Sequence, residues 1–566
     1  MKKIIASALS LLIAFLSASP AFSAEAGGDS LNIAVASDLH YNIPRERIEG
    51  EIDDDIYFYA NRRAALEDES GFIIDEFLRQ CTEDSSIEYV LISGDLADNG
   101  RSIPQEHYDV AAKLKAFEEE TGKSVYVCNG NHDSGDNSET TNEQFREIYY
   151  DFGYSEALDT QEGTLSYTVN LGSKYRLIVA DSCDSTKSTE DGLTSSRVSW
   201  IVKEARKAYD EGRYPVLMMH HNLLDHMPVQ RIFSHDFIVR NHTAVAEKLA
   251  NAGIKTVFTG HEHGSDVTSY TSASGKKITD FSTTSLTMYP LEYRVVSFTD
   301  DVITYSKRTV DSIDTDALTS AVSGYTDEQI SLMNAGMNEY AKGFFKAGIR
   351  YRLWLSLTPE KLGVDEDAFY APVVYTAVNR LLEILDMPLY GEGSVSSLAA
   401  EYGIDLPESG YADGWDLATE IVSYHYAGDE PFALDSTEVT LLLKTVDLIL
   451  LDALSGVNDE VFLAAANRLV SNLGTEGICR SFTKTLANAF GPVTAGEYFL
   501  LAVASPILYG FACDRDGIAD NNGEIEGYAV NDAGANIGAN VASFFEKLRL
   551  YFSFFIAYIS KIFIRF

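Results

Sequence analysis

Between Leu31 and about Ser306, short apolar runs alternate with stretches whose apolar residues recur every three or four positions. The short runs predict strands at 31–36, 89–93, 124–128, 175–180, 215–219 and 255–259, and the periodic stretches predict helices at 71–81, 105–119, 196–209 and 244–251. Strands separated by helices predict a layered α/β domain, and in such folds functional residues gather just beyond the carboxyl ends of the strands. The acidic segment 41–68, which interrupts the first strand–helix connection, has two readings: a wall of a site, or a solvated loop.

Beyond Asp311 the pattern changes to long helical runs with end signals. Thr326 and Gln329 have capping-box spacing, Thr358-Pro359 places an N-cap before a proline, and Gly456 and Gly474 follow helical runs as stops. No fixed-period repeat and no catalytic signature stand out there. The segment 514–523 has a calcium-loop look, but aligning Gly523 with the glycine of such a loop puts Ile518 and Ala529 at the end-ligand positions, so it reads as turns. The last stretch, 546–566, predicts an aromatic-rich amphipathic helix with a narrow stripe formed by Arg549, Ser553, Ser560, Lys561 and Arg565. It reads equally as a peripheral contact to a membrane interface or as a helix docked on protein, and Lys561 interrupts a run already short for spanning.

Composition bounds the function. A chain of 566 residues needs more than one domain, and 23% charged with 45% apolar residues is ordinary for soluble globular proteins. A formal net charge of −41 opposes nucleic-acid polymers, whose binding relies on Lys and Arg neutralising phosphates. A small phosphorylated substrate drawn in by bound cations escapes that objection. Lys2 and Lys3, the apolar run 4–16 and the small residues of 21–26 predict a secretory signal over 1–26, cleaved after Ser23 or Ala26, and an extracytoplasmic protein, secreted or associated with the cell envelope. The expected division is therefore 1–26 signal, 27–311 α/β domain, 312–545 helical domain and 546–566 terminal helix. The five cysteines have no paired spacing, so a zinc ribbon or a disulfide-stapled minidomain has no support, and nothing selects a pair for a single disulfide.

Ten of the eleven histidines lie at or before His263, and the informative ones accompany carboxylates at predicted strand ends. Asp38 and His40, two apart on chain leaving a strand, are expected to point the same way and reach one cation. Gly94-Asp95-Leu96-Ala97-Asp98-Asn99-Gly100 lets the chain turn sharply and offers Asp95 as a carboxylate between two metals roughly 4 Å apart. Gly130-Asn131-His132-Asp133 supplies a neutral amide ligand and a histidine left for the substrate. The strand at 215–219 delivers His220 and His221. Only one of the pair faces a given side, and His220 is the expected ligand, with His221 in a supporting or substrate-facing place. Gly260-His261-Glu262-His263 aims both histidines together and turns Glu262 aside.

These five motifs, in this order, resemble the calcineurin-like metallophosphoesterase family over about 31–311. The resemblance implies a layered metallophosphoesterase β-sandwich flanked by helices, here followed by a mainly helical C-terminal domain. It implies one metal held by Asp38, His40 and His263, a second held by Asn131, His220 and His261, Asp95 between them, and His132 beside the departing oxygen, oriented by Asp133. In the purple acid phosphatases a tyrosine stands three places after the bridging Asp; Asp98 is there in this chain, which argues against tyrosine-bound ferric iron. Imidazole, carboxylate and amide donors suit two transition-metal ions, divalent or trivalent, namely Mn, Fe or Zn. The expected activity is hydrolysis of a small phosphate mono- or diester by a hydroxide bridging two metals. The alternative is a non-catalytic surface or binding protein on the same scaffold, with the helical half docking a partner or membrane. Against it, all seven ligand positions hold competent residues.

Overall fold

A computed structural model describes residues 30–44, 64–186, 192–226, 230, 236–356, 364–428, 430–433, 436–452, 460–461, 464–465, 467, 511–513 and 517–529. The expected signal at 1–26, the terminal helix at 546–566, most of the acidic insertion, Cys479 and the end signals at 358–359, 456 and 474 lie outside these residues. Among the described residues no helix is long and apolar enough to cross a membrane.

Two mixed sheets face each other. The first has the order β13-β12-β11-β1-β2-β3, built from Asn522–Glu526, Val302–Thr309, Glu292–Phe298, Leu31–Ala36, Tyr89–Ile92 and Ser124–Val127. The second has the order β4-β5-β6-β7-β8-β10-β9, built from Asp159–Thr160, Tyr167–Leu171, Tyr175–Val179, Tyr214–Met218, Thr256–Thr259, Lys277–Ser282 and Asp266–Thr271. Strands β1, β2 and β3 run parallel, and so do β6, β7 and β8, which brings their carboxyl ends to one edge of the sandwich.

The helices are α1 (Ser70–Glu83), α2 (Pro104–Thr121), α3 (Asn142–Ile148), α4 (Ser195–Asp210), α5 (His242–Asn251), α6 (Thr315–Ala321), α7 (Asp327–Ala335) and α8 (Met337–Ser356). They continue with α9 (Ala371–Asp386), α10 (Val395–Glu401), α11 (Gly414–Tyr426) and α12 (Thr437–Asp452). Strand alternation divides the core between two layers. Val216 and Met218 of β7 enter the layer between the sheets, whereas Leu217 and Met219 pack against Ile201 and Ala205 of α4 and Ala246 and Leu249 of α5. On the other side, Ile73, Ile74 and Phe77 of α1 recur at helical spacing and join Val110 and Leu114 of α2 in the first cluster. Thr326 and Gln329 make both bonds of a capping box at the start of α7.

Strand β13 lies inside the span 312–545 expected to be mainly helical. It pairs antiparallel with β12 and forms the outer edge of the first sheet, so a late piece of chain returns to the first domain. Its glycine is required by that packing, because a Cβ on Gly523 would lie 2.4 Å from the Tyr305 hydroxyl. Among the described residues, Cys81, Cys128 and Cys183 are free and buried.

Candidate metal centre

The five motifs meet at the common edge of the two sheets. Immediately after β1 and β2 the loops remain linked, with the Asp38 amide donating to the Gly94 carbonyl at 3.0 Å and the His40 amide to the Asp95 carbonyl at 3.0 Å. The residues there are not extended. Asp38, His40, Asp95, His261 and His263 all have left-handed backbone, with φ of 51, 39, 48, 67 and 64°. This corrects the expectation that alternation along extended chain aims the pairs: tight left-handed turns do it, each at a cost of roughly 1–3 kcal/mol. Two glycines make the crowding tolerable. A Cβ on Gly130 would lie 2.0 Å from Asp95 Oδ1, and one on Gly260 would lie 1.8 Å from Ser37 Oγ.

Two triads result, Asp38 with His40 and His263, and Asp95 with His220 and His261, while His132 approaches His40 and Asp95. In the first, His263 Nε2 lies 3.1 Å from His40 Nε2 and 3.2 Å from Asp38 Oδ1. In the second, His220 Nε2 lies 3.0 Å from Asn131 Oδ1, 3.1 Å from His261 Nδ1 and 3.2 Å from Asp95 Oδ2. Asp95 Oδ2 is also 3.8 Å from His40 Nε2, which sets this carboxylate between the triads.

The outer ring nitrogens explain why the inner ones need a cation. His220 Nδ1 faces the Ser93 carbonyl at 2.9 Å and so must carry its proton, and His40 Nδ1 faces Asp98 Oδ1 at 2.8 Å. In the neutral rings both inner Nε2 atoms then present lone pairs to carboxylate oxygens and to further nitrogens. Asp38 Oδ1 and Asp95 Oδ2 are themselves buried without a hydrogen-bond partner. Such an arrangement is held together either by extra protons or by metal ions. Burial opposes a charged ring, yet the bond to Asp38 and the contacts with Asp98 push His40 up to about 10, and the Asp95 and Asp38 charges push His220 up to about 9. Burial would likewise raise Asp38 and Asp95, but the facing histidines hold both well below the usual carboxylate range. The donor set fits two transition-metal ions.

A calcineurin-like phosphoesterase family model matches residues 31–265. Those residues form a calcineurin-like phosphoesterase domain. Membership implies a dinuclear metal site, and the histidine and aspartate clusters of this phosphoesterase domain provide the residues for one.

Among solved structures, a dimetal phosphatase from Danio rerio is 13% identical, with a TM-score of 0.36, covering 50% of this chain and 96% of its own. The NAD nucleotidase of Haemophilus influenzae is 12% identical, with a TM-score of 0.28, covering 62% and 68%. Vacuolar protein sorting 29 of Cryptosporidium parvum is 10% identical, with a TM-score of 0.21, covering 49% and 90%. Scores of that size say nothing of substrate. No curated protein matches the chain.

Two neighbours of the phosphoesterase centre differ from the sequence reading. Asp133 does not orient His132. Its carboxylate accepts from the amides of Gly130 at 2.7 Å, Leu96 at 2.9 Å and Ala97 at 3.2 Å, and so clamps the two ligand loops together. Burial, then the Asp95 charge, pushes this carboxyl up to about 8. Asp98 takes the orienting role instead: its carboxylate holds His40 and its carbonyl accepts from His132 Nδ1 at 2.7 Å. The only sequence signal was its place in the Gly94–Gly100 motif. His221 faces Ser182 Oγ at 2.9 Å through Nδ1, and the carboxylate of Glu262 turns to Gln230 at 3.3 Å. Ser285 Oγ donates to the Asp38 carbonyl at 2.7 Å and Met288 Sδ lies 2.9 Å from His263 Nδ1. Both lie between Thr283 and Pro290, a stretch after the fifth motif that resembles the family's supporting structure.

Proposed function

We propose that this chain is an exported phosphoesterase that hydrolyses small phosphate mono- or diesters at a centre of two Mn, Fe or Zn ions. Asp38, His40 and His263 would hold one ion, Asn131, His220 and His261 the other, and Asp95 would be shared. The observation that carries this reading is the pair of buried, unpartnered oxygens, Asp38 Oδ1 and Asp95 Oδ2, set against imidazole nitrogens whose outer sides are already committed. When bound, the ions would neutralise phosphoryl oxygens and make hydroxide available near neutral pH.

The remaining steps belong to the protein. His132 Nδ1–H donates to the Asp98 carbonyl, which fixes the ring, and in the doubly protonated imidazolium Nε2 is the atom that gives a proton or hydrogen bond to the departing oxygen. Its own amide donates to Asp95 Oδ1 at 2.8 Å, which ties the position of this acid to the shared carboxylate. Asp98 thus couples the His40 ring to the His132 ring, whose centroids lie 4.9 Å apart edge to face. Export rests on the charged and apolar pattern of 1–26.

The test is elemental analysis of protein purified without chelator, followed by turnover of aryl phosphate mono- and diesters with added Mn, Fe or Zn. Metal and turnover are expected together. Absence of both after reconstitution would sink the enzymatic reading. Sequencing the amino terminus of protein recovered outside the cytoplasm checks export, the expected start being residue 24 or 27.

A further inference from the structure

Among the seven proposed donors, Asn131 alone offers an amide oxygen. Lacking a charge, that oxygen is drawn to a cation less strongly than a carboxylate, so its place at the centre depends on how its main chain is held. The chain there is a turn after β3, outside any strand ladder or helix. A single residue, Arg101, holds two successive carbonyls of that turn. Its guanidinium Nη1 donates to the Asn131 carbonyl at 3.2 Å, and its own amide donates to the His132 carbonyl at 2.9 Å.

The guanidinium is committed on its other sides as well. Nε donates to Ser138 Oγ at 3.1 Å, and Nη2 donates to the Ser185 carbonyl at 3.2 Å. Room for this comes from Gly135, where a Cβ would lie 1.9 Å from Nη2. Arg101 is thereby the point where three loops meet. The loop after β2 carries Asp95, Asp98 and Arg101 itself, the loop after β3 carries Asn131 and Ser138, and the loop after β6 carries Ser185. None of these three acceptors is a carboxylate, so what the fork supplies to them is direction: planar donors fix an angle that a flexible ammonium does not.

We infer that Arg101 is a positioning residue of the centre, its guanidinium holding the turn so that the Asn131 amide oxygen meets the ion shared with His220 and His261. This rests on the phosphoesterase reading above. Removing the guanidinium spares the main-chain bond to His132 and the Asp98 carbonyl that orients the His132 ring. The effect should therefore fall on one ion and leave the proton donor alone.

The experiment is calorimetric titration of the metal-free full chain with Mn, for the unmodified protein, Arg101→Ala, Arg101→Lys and Asn131→Ala, with the melting temperature of each metal-free form. Arg101→Ala should weaken by about 10- to 100-fold the same binding step that Asn131→Ala weakens, and leave the other step unchanged, as for loss of a partner behind a ligand. Methylguanidinium should restore that step in Arg101→Ala and not in Asn131→Ala. Arg101→Lys should keep most of the loss, because one ammonium cannot reach three acceptors in a plane. Should Arg101→Ala fail to fold, as judged by circular dichroism, Arg101→Lys carries the same comparison. In a series of aryl esters the dependence of rate on leaving group should match that of the unmodified enzyme.

Unchanged Mn affinities in Arg101→Ala and Arg101→Lys overturn the inference. So does a lower melting temperature of the metal-free form with both steps weakened alike and no rescue by methylguanidinium, which is what a merely structural contact would give. Turnover separates this inference from the reading beneath it. Ester hydrolysis by the unmodified protein, with Mn affinities that ignore Arg101, defeats this inference alone. Arg101-dependent Mn binding in a protein that turns over no ester defeats only the phosphoesterase reading.

Discussion

The sandwich and the helical half use the same charged side chains in opposite ways. In the helical half they are matched at or near the surface: Arg350 and Asp386 remain 53% and 61% exposed, and Lys342 and Lys346 share Glu420. In the sandwich, Asp38 and Asp95 are fully buried, two of their oxygens have no hydrogen-bond partner, and they and three histidines around them hold left-handed backbone. Burying unmatched charge and straining the chain both oppose folding, so such features persist where something else is gained. Chemistry is marked by unmet polar demand, and residue type alone does not mark it.

The sharpest way to break the comparison is Asp95→Asn. It alters the carboxylate between the two triads and should remove both metal content and turnover, by more than the roughly 10- to 100-fold typical of losing an outer partner. Elemental analysis and steady-state rates check it. A variant that keeps its metals and rate would place the shared group elsewhere.

His132→Ala should come next. Metal content should stay near that of the unmodified protein while turnover of esters with poor leaving groups falls about 10²- to 10⁴-fold. The loss should shrink for very acidic leaving groups, which depart without a proton. An equal loss across all leaving groups, or loss of a metal, would show that the ring belongs to the metal set.

Asp98→Ala should cost less, about 10- to 100-fold in metal affinity or rate, because it removes the carboxylate behind His40 and no inner atom. The Asp98 carbonyl that holds His132 survives the substitution, so the dependence on leaving group should stay that of the unmodified enzyme. Rates across a series of aryl esters, with metal titrations, test both halves of this statement.

How far these contrasts were legible in the sequence follows from range. The parallel strands β1, β2, β3, β6, β7 and β8 are short apolar runs buried on both faces, and each announces itself locally. The motifs at their ends named the histidines and carboxylates that the structure brings together. Strand β9, mostly half-buried, and β13, with alternating exposed positions, carry weak patterns and owe their state to partners. The pairing of Asn522–Glu526 with a strand more than two hundred residues earlier has no local sign. The left-handed turns, the Asp98 bonds to two histidines and the Asp133 clamp are likewise properties of loops that meet only in the fold.

The gentlest test concerns the paired charges of the helical half. Glu420 accepts from Lys342 and Lys346 across the α8–α11 contact, with 16% of its side chain exposed, and burial opposes its charge while the two lysines lower its carboxyl below the ordinary 4.5. Pairs of this kind contribute up to about 1 kcal/mol. Because the folded value is the lower one, that contribution is present above the unfolded value and disappears as pH falls through the folded value. Glu420→Gln should therefore lower thermal stability slightly at neutral pH and not at all in acid, where the unmodified protein has already lost the bridge. Turnover should be unchanged if α8 is held mainly by Phe345 and Ile349 in the core. Melting temperatures from pH 3 to pH 8, alongside KM for an aryl phosphate, decide between these roles. A rise in KM without a change in melting temperature would mean that the surface pairs of the helical half act on the centre, and the division between the two halves would have to be redrawn there.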